Sequence, residues 1–195
     1  SDVTRISQTL NLWEGEILSR FTWKGNEFNV RTVCHPAQDM ISAHIDSHLH
    51  TGIKFHFPYP TGIHTDNACD WDANDKHSTE VLKQDTQSAV LKRTLDSTVY
   101  YVELKWEGKA LLKEKEKNYF VLLPQEDTFS FSCAFTANEP DQLTVLPDFF
   151  EVESLAKNHW VNFWEEGAAV DFSHCTDPRA KELERRVVLS QYLLA

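Results

Sequence analysis

The stretch Thr98-Val99-Tyr100-Tyr101-Val102-Glu103-Leu104-Lys105-Trp106-Glu107-Gly108 decides the fold class of this chain of 195 residues. Every second residue from Thr98 to Trp106 is large and mostly apolar, and Glu107-Gly108 supplies a turn. A period of two predicts a β-strand, because successive side chains of a strand point to opposite faces of its sheet. The glycine turn that follows predicts a hairpin.

The same alternation continues on both sides of this strand. It is clearest in three sets of residues: Phe129, Phe131, Cys133 and Phe135; Ile17, Phe21 and Trp23; and Ile41, Ala43, Ile45 and Leu49, which alternate with His44, Asp46, His48 and His50. Many short strands joined by turns predict antiparallel sheets packed face to face. The predicted fold class is therefore mainly β, a large antiparallel β-sandwich.

The pattern changes to a helical period after Pro140. Asp148 and Glu151 form a predicted capping box, and apolar residues recur at helical spacing as far as Trp164. A second helix is predicted to start with Asp177 as its N-cap and Pro178 at its first position. The chain divides on this basis into a sandwich domain, residues 1–145, and a helical linker, residues 146–195. Because the last helix ends on apolar residues without a cap, we expect it to continue into a further domain.

Composition excludes two classes of partner. The formal charge is −11, with 19 Lys and Arg against 30 Asp and Glu, whereas a nucleic-acid binder needs a basic surface. There is no run of about 18 apolar residues that could span a membrane. The four cysteines form no Cys-x-x-Cys pair, so they indicate neither a zinc site nor a redox motif. Localisation is left open, with a periplasmic or extracellular location preferred to a cytoplasmic one.

The stretch from Pro58 to Ser78 interrupts the strand pattern and is predicted to be a long loop. Ordered loops of this length inside a domain are usually functional. Sugars offer flat apolar faces rimmed by hydroxyl groups, which tryptophan and tyrosine match with a ring and one polar group. The candidate sugar-binding residues are Tyr59, Trp71, Asp72, His77 and Trp160. For Trp160, as for Trp164, helical spacing favours packing in the core.

Two metal hypotheses are considered, and the structural interpretation is preferred for both. His44, His48 and His50 are expected on the polar face of a strand, against solvent or a neighbouring domain. A His-x-His pair on a strand presents two imidazoles to the same side, but no third ligand is visible at a suitable spacing. Asp70-Trp71-Asp72-Ala73-Asn74 begins like a calcium loop but lacks the later glycine and glutamate. No metal, no cofactor and no catalytic residue is predicted within the chain.

Two segments resemble a known family. The segments are His159–Ser173, with Trp160-Val161-Asn162-Phe163-Trp164, and Asp177–Tyr192. Together they resemble the linker between the N-terminal sandwich and the α/α toroid of six-hairpin glycosidases, similar to glycoside hydrolase family 65 and related uncharacterised bacterial proteins. Leu12-Trp13-Glu14-Gly15 and Phe57-Pro58-Tyr59-Pro60 resemble the sandwich of the same group.

This resemblance implies a supersandwich similar to the galactose-mutarotase fold, packed beside a toroid that carries the catalytic glutamate and any phosphate-binding residues. The expected function is that of a non-catalytic N-terminal domain of a glycoside hydrolase or phosphorylase, inactive alone, which braces the toroid and sends a loop towards the active-site mouth. The alternatives are a stand-alone carbohydrate-binding module and an aldose-epimerase-like enzyme. The predicted partners are carbohydrate and the chain's own C-terminal catalytic domain. The last helix is expected either to bind a second copy of the chain or to fold back onto its own sandwich.

Overall fold

The computed structural model describes residues 2–65, 68–143 and 145–195. The strands of the larger sheet are β1 Val3–Asn11, β2 Glu16–Trp23, β3 Asn26–Cys34, β4 Met40–Asp46, β8 His77–Gln84, β9 Ser88–Leu95, β10 Thr98–Glu107 and β13 Thr128–Thr136. The remaining strands are β5 Ile53–His56, β6 Tyr59–Pro60, β7 Cys69–Asp70, β11 Ala110–Glu116 and β12 Tyr119–Pro124. Helix α1 spans Phe149–Phe163 and continues as a π-helical segment, Trp164–Ala168, and helix α2 spans Ala180–Leu194.

Every strand pair in the described residues is antiparallel. The larger sheet has the order β1-β2-β3-β4-β13-β10-β9-β8, and a second sheet has the order β11-β12-β5. β6 and β7 form a separate two-stranded ribbon. The mainly β class and the large antiparallel sandwich predicted from the alternating strands are confirmed.

The main core lies between the two sheets. From the larger sheet it contains Leu91 of β9, Val102 and Trp106 of β10, and Phe131 of β13, and from the smaller sheet Phe120 and Leu122 of β12, among others. These are the apolar members of the alternating patterns, which is why one face of each strand is buried. The smaller sheet thus covers the half of the larger sheet that contains β4, β13, β10 and β9.

Helix α1 covers the opposite face of the larger sheet. Phe149, Val152 and Ala156 of α1 are buried against Val33 of β3 and Met40 of β4. The predicted capping box is present, because the Asp148 carboxylate accepts from the Glu151 backbone N–H at 2.9 Å and the Glu151 carboxylate accepts from the Asp148 backbone N–H at 2.8 Å. This cap starts α1 at the point where its apolar side meets the sheet.

The expected histidine face differs from the prediction in two ways. β4 ends at Asp46, so His48 and His50 lie in the segment after the strand. His44 is only 9% exposed, because α1 covers it, with its ring 5.3 Å from the rings of both Phe149 and Phe150. Its Nδ1 lies 2.8 Å from the Ser130 hydroxyl. The prediction of one polar strand face carrying all three histidines was therefore wrong.

The predicted start of the second helix was also wrong. α2 begins at Ala180, with Arg179 at the N-cap position. The Asp177 carboxylate accepts from the Arg179 backbone N–H at 2.8 Å and from its guanidinium at 2.7 Å, so it closes the turn that precedes α2. Within the described residues, no helix is both long enough and apolar enough to cross a membrane.

Candidate functional site

One end of the sandwich gathers the residues that the sequence marks as candidates. β5 and β12 pair with His56 opposite Tyr119, and β8 and β9 pair with His77 opposite Leu95. The β6–β7 ribbon and the turn that follows it extend from this end. The predicted long loop is therefore partly a ribbon, and two of its residues, Asp66 and Asn67, lie outside the described residues.

Trp71 contacts the His56 ring at this end, and His56 in turn contacts the Tyr119 ring. The ring centroid of Trp71 is 4.8 Å from that of His56, which in turn is 5.0 Å from that of Tyr119. Trp71 remains 52% exposed. We call Trp71, His56, Tyr119 and the adjacent Tyr59 the platform. A large ring held in place by its neighbours and still half open to solvent offers a flat apolar surface.

Tyr59 supplies the polar side of the platform. Its hydroxyl donates to the Asp96 carboxylate at 3.0 Å, and Lys76 Nζ lies 5.4 Å from the centre of its ring. The hydrogen bond to Asp96, with the charge of that carboxylate, raises the pKa of Tyr59, so the hydroxyl stays protonated. Charged and hydroxyl groups thus stand beside the aromatic surface.

A buried polar network supports this end from inside. Arg93 is 1% exposed, and its Nη1 donates to the Ser78 carbonyl oxygen at 3.1 Å, the Thr79 hydroxyl at 2.7 Å and Asn118 Oδ1 at 3.2 Å. Its Nη2 lies 3.0 Å from His77 Nδ1. The hydrogen-bond partners are all uncharged, and the Phe57 and Tyr100 rings lie 4.8 and 5.9 Å from the guanidinium.

His77 is held neutral by this network. Arg93 can only donate, so His77 Nδ1 is the acceptor and the proton of the neutral ring lies on Nε2. Burial of the ring, followed by the positive charge of Arg93, lowers the pKa of His77. The ring also lies 5.9 Å from that of Tyr59, so it connects the buried network to the platform.

Asn118 ties the loop to the sandwich. It lies in the β11–β12 hairpin with φ of 63°, a left-handed conformation that asparagine tolerates better than most residues. Its Nδ2 donates to the Asn74 carbonyl oxygen at 3.3 Å. Asn74 belongs to the turn after Trp71, so the platform is anchored from beneath.

Asp72 takes part in the turn through its backbone. Its N–H donates to Asp70 Oδ1 at 3.0 Å, and its carbonyl oxygen accepts from Asn74 N–H at 2.9 Å. The geometry therefore explains the turn without a bound ion. Across the described ranges, no three or more His, Cys, Asp or Glu side chains are grouped so as to hold a metal ion.

Trp160, the fifth candidate, lies elsewhere, in a second aromatic cluster. Its ring stacks on Tyr192 of α2 with centroids 4.2 Å apart. Trp164, 3% exposed, donates from Nε1 to the Leu12 carbonyl oxygen at 2.8 Å and stacks on Trp13 at 6.4 Å and 11°. We call Trp13, Trp160, Trp164 and Tyr192 the joint, because they connect the β1–β2 turn to both helices.

Among known proteins, this chain matches solved structures. No family model matches the chain, and no curated protein matches it. One of these structures is described as "Putative kojibiose phosphorylase from human microbiome". It is 12% identical to this chain, with a TM-score of 0.48, over 98% of this chain and 24% of that chain. The present chain thus spans about a quarter of the length of that protein.

The structure brings Tyr59, Trp71, Asp72 and His77 to one end and places Trp160 in the joint. Sequence reasoning missed His56, Asp96, Tyr119 and Arg93. His56 and Tyr119 meet only through the pairing of β5 with β12. Arg93 carried one local signal, since the residues that alternate with it in β9, Ala89, Leu91 and Leu95, are all apolar. Its hydrogen-bond partners come from β8 and the β11–β12 hairpin.

Proposed function

We propose that this chain is a non-catalytic, carbohydrate-contacting domain of a carbohydrate-active enzyme, a glycoside hydrolase or phosphorylase. The observation that carries the proposal is the Trp71 ring, which is half exposed and packed against His56, which itself contacts Tyr119. The platform packs against the apolar face of a sugar ring. Tyr59, Asp96 and Lys76 exchange hydrogen bonds with its hydroxyl groups.

The charge of the chain favours neutral sugars. Asp70, Asp72, Asp75 and Asp96 lie near the platform, with Lys76 and Lys117 as cations nearby, and the net charge is −11. A negative field repels uronic acids and sulfated sugars. The expected ligand is therefore a neutral oligosaccharide, in which stacking on Trp71 supplies the largest single contribution.

The second part of the proposal concerns the helices. The family resemblance of the Trp160–Trp164 segment and of the Leu12–Gly15 turn supports a bracing role, since these two segments contact each other in the joint. The division into residues 1–145 and 146–195 then separates the domain that meets the sugar from the element that leads towards a catalytic toroid. Catalysis belongs to that toroid.

Titration of the chain with neutral disaccharides and trisaccharides of several linkages tests the sugar contact. Tryptophan indole N–H signals are followed by NMR, with a uronic acid as the charged comparison. We expect Trp71→Ala to weaken binding about fivefold, because loss of one stacked ring removes on the order of 1 kcal/mol. Trp13→Ala is the matched control, since Trp13 is 47% exposed but lies in the joint.

Binding that is equal in wild type and Trp71→Ala would contradict the platform as the site. Absence of a response to every sugar in the panel would contradict the sugar contact itself. The bracing role is tested separately in the full-length parent enzyme, where Trp160→Ala is expected to lower the thermal stability without changing the sugar affinity of the isolated chain.

A further inference from the structure

A second apolar space lies at the other end of β5 and β12, away from the platform. It has a volume of about 150 Å³ and lies between β2–β3 on one side and the segments 47–53 and 124–129 on the other. Phe21, Trp23, Phe28, Val30 and Ile45 form its apolar wall. This cavity is separate from the proposed sugar contact and does not depend on it.

The cavity exists because the smaller sheet covers only part of the larger one. The core between the sheets draws its residues from β4, β9, β10 and β13, together with β11 and β12, and from none of β1 to β3. The inner face of β2 and β3 is therefore left to a loop. Phe21 and Phe28 stack there with centroids 5.0 Å apart and planes at 4°, and Trp23 lies 6.2 Å from Phe28.

Polar groups line the cavity along one edge. His50 and Asp127 both belong to its lining, and His50 Nε2 lies 2.8 Å from Asp127 Oδ1. His48 binds the other oxygen of the same carboxylate, at 2.7 Å, but is not part of the lining. Hydrogen bonds from both histidines lower the pKa of Asp127, so the carboxylate is charged and accepts. In the neutral form of the His50 ring, Nε2 is then the donor and Nδ1 is left as an acceptor.

We propose that this cavity binds a single aromatic ring that carries one hydroxyl group, a ligand of the size and chemistry of phenol. A dry apolar cavity of about 150 Å³ is known to accept benzene. The ring packs between the stacked phenylalanines and Val30, and its hydroxyl donates to His50. A sugar is a poor occupant, because its hydroxyl groups point in all directions and most of them would face apolar side chains without a partner.

The test is titration of the whole chain with phenol, toluene and a methyl glycoside, followed through the Trp23 indole signal by NMR. Both aromatic compounds are expected to bind, with phenol about three- to tenfold tighter, the range that one hydrogen bond gives. The methyl glycoside is expected to leave the Trp23 signal unchanged. Binding of neither aromatic compound at millimolar concentration overturns the proposal.

Two pairs of variants locate the ligand. Val30→Phe fills the cavity and should abolish binding of both compounds, whereas Val99→Phe, on an exposed position of β10, should not. His50→Ala should remove the preference for phenol and leave toluene bound, whereas His48→Ala should keep the preference. If Val30→Phe fails to fold, as judged by its thermal transition, Ile53→Phe on the opposite wall replaces it. Equal loss of both ligands in His50→Ala, or unchanged binding in the filled variant, overturns the assignment.

Discussion

The molecule contains two clusters of aromatic side chains that use their rings differently. In the joint, Trp164 is 3% exposed, its indole N–H is bonded to the Leu12 carbonyl oxygen, and the cluster spans the sandwich and both helices. In the platform, Trp71 is 52% exposed and contacts the ring of His56, which in turn contacts Tyr119 on the paired strand. Burial with a satisfied N–H is typical of structural tryptophans, whereas a supported and exposed ring is available to a ligand.

The electrostatic surroundings of the two clusters also differ. Ion pairs surround the joint, with Lys157 Nζ 2.5 Å from the Glu14 carboxylate and with Arg31 bound to both Glu16 and Glu153. Beneath the platform, Arg93 is buried and charged, and the groups that accept its hydrogen bonds are all uncharged. The joint is therefore expected to respond mainly to loss of packing, and the platform mainly to pH.

The largest effect is expected from Trp164→Ala. This change leaves a cavity between the β1–β2 turn and α1 and leaves the Leu12 carbonyl oxygen without its donor. Truncation of a buried tryptophan costs about 3–5 kcal/mol of the free energy of unfolding. Urea unfolding followed by circular dichroism measures it, and a loss below about 1 kcal/mol would show that the joint does not hold the helices to the sandwich.

The next effect is expected from Gly15→Ala. Gly15 has φ of +69°, and a Cβ there would lie 2.1 Å from Trp160 Cδ1. Gly25→Ala is the matched control, because Gly25 has φ of +78° and nothing within 4 Å of the added atom. Both changes carry the same backbone strain, so their difference isolates the contact with Trp160. We expect Gly15→Ala to be about 1–3 kcal/mol more destabilising, the usual cost of overpacking.

The sequence predicts local features of this molecule and misses contacts between residues that are far apart in the chain. The capping box at Asp148 and the strand from Thr98 were predictable, because both follow from residues a few positions apart. The burial of His44 was not, because it depends on where α1 docks, about a hundred positions later in the chain. The contact of His56 with Tyr119 requires strand pairing across 63 residues, which no local pattern specifies.

A pH effect on stability is expected from His77, beneath the platform. The folded state lowers the pKa of His77, so the unfolded state binds its proton more readily. His77 therefore costs no stability above the pKa of the unfolded state, about 6.5. As the pH falls from there towards the pKa of the folded state, the free energy of unfolding decreases. The charged groups that face His77 are Arg93, Lys117 and His56, which oppose protonation, and Asp75, which favours it.

Replacement of His77 by asparagine tests this effect. Asparagine keeps an acceptor for Arg93 but cannot be protonated, so His77→Asn should lose less stability than wild type between pH 7.5 and pH 5.5. Denaturant unfolding at the two pH values gives the comparison, and His174→Asn, at an exposed position of the turn before α2, controls for the general loss of a histidine. Parallel pH dependence in wild type and His77→Asn would mean that the network tolerates the proton.

The smallest effect on stability is expected from Trp71→Ala, although this change should have the largest effect on sugar binding. Half of the Trp71 ring is already in solvent, and its N–H has no described acceptor that would be left unpaired. Exposed substitutions away from buried contacts usually change the free energy of unfolding by less than about 0.5 kcal/mol. Trp13→Ala removes a ring of similar exposure that stacks on Trp164, and such a pair contributes about 0.5–1.5 kcal/mol. Measured side by side, Trp13→Ala should therefore be the more destabilising of the two, and the reverse order would mean that Trp71 belongs to the fold and not to a binding surface.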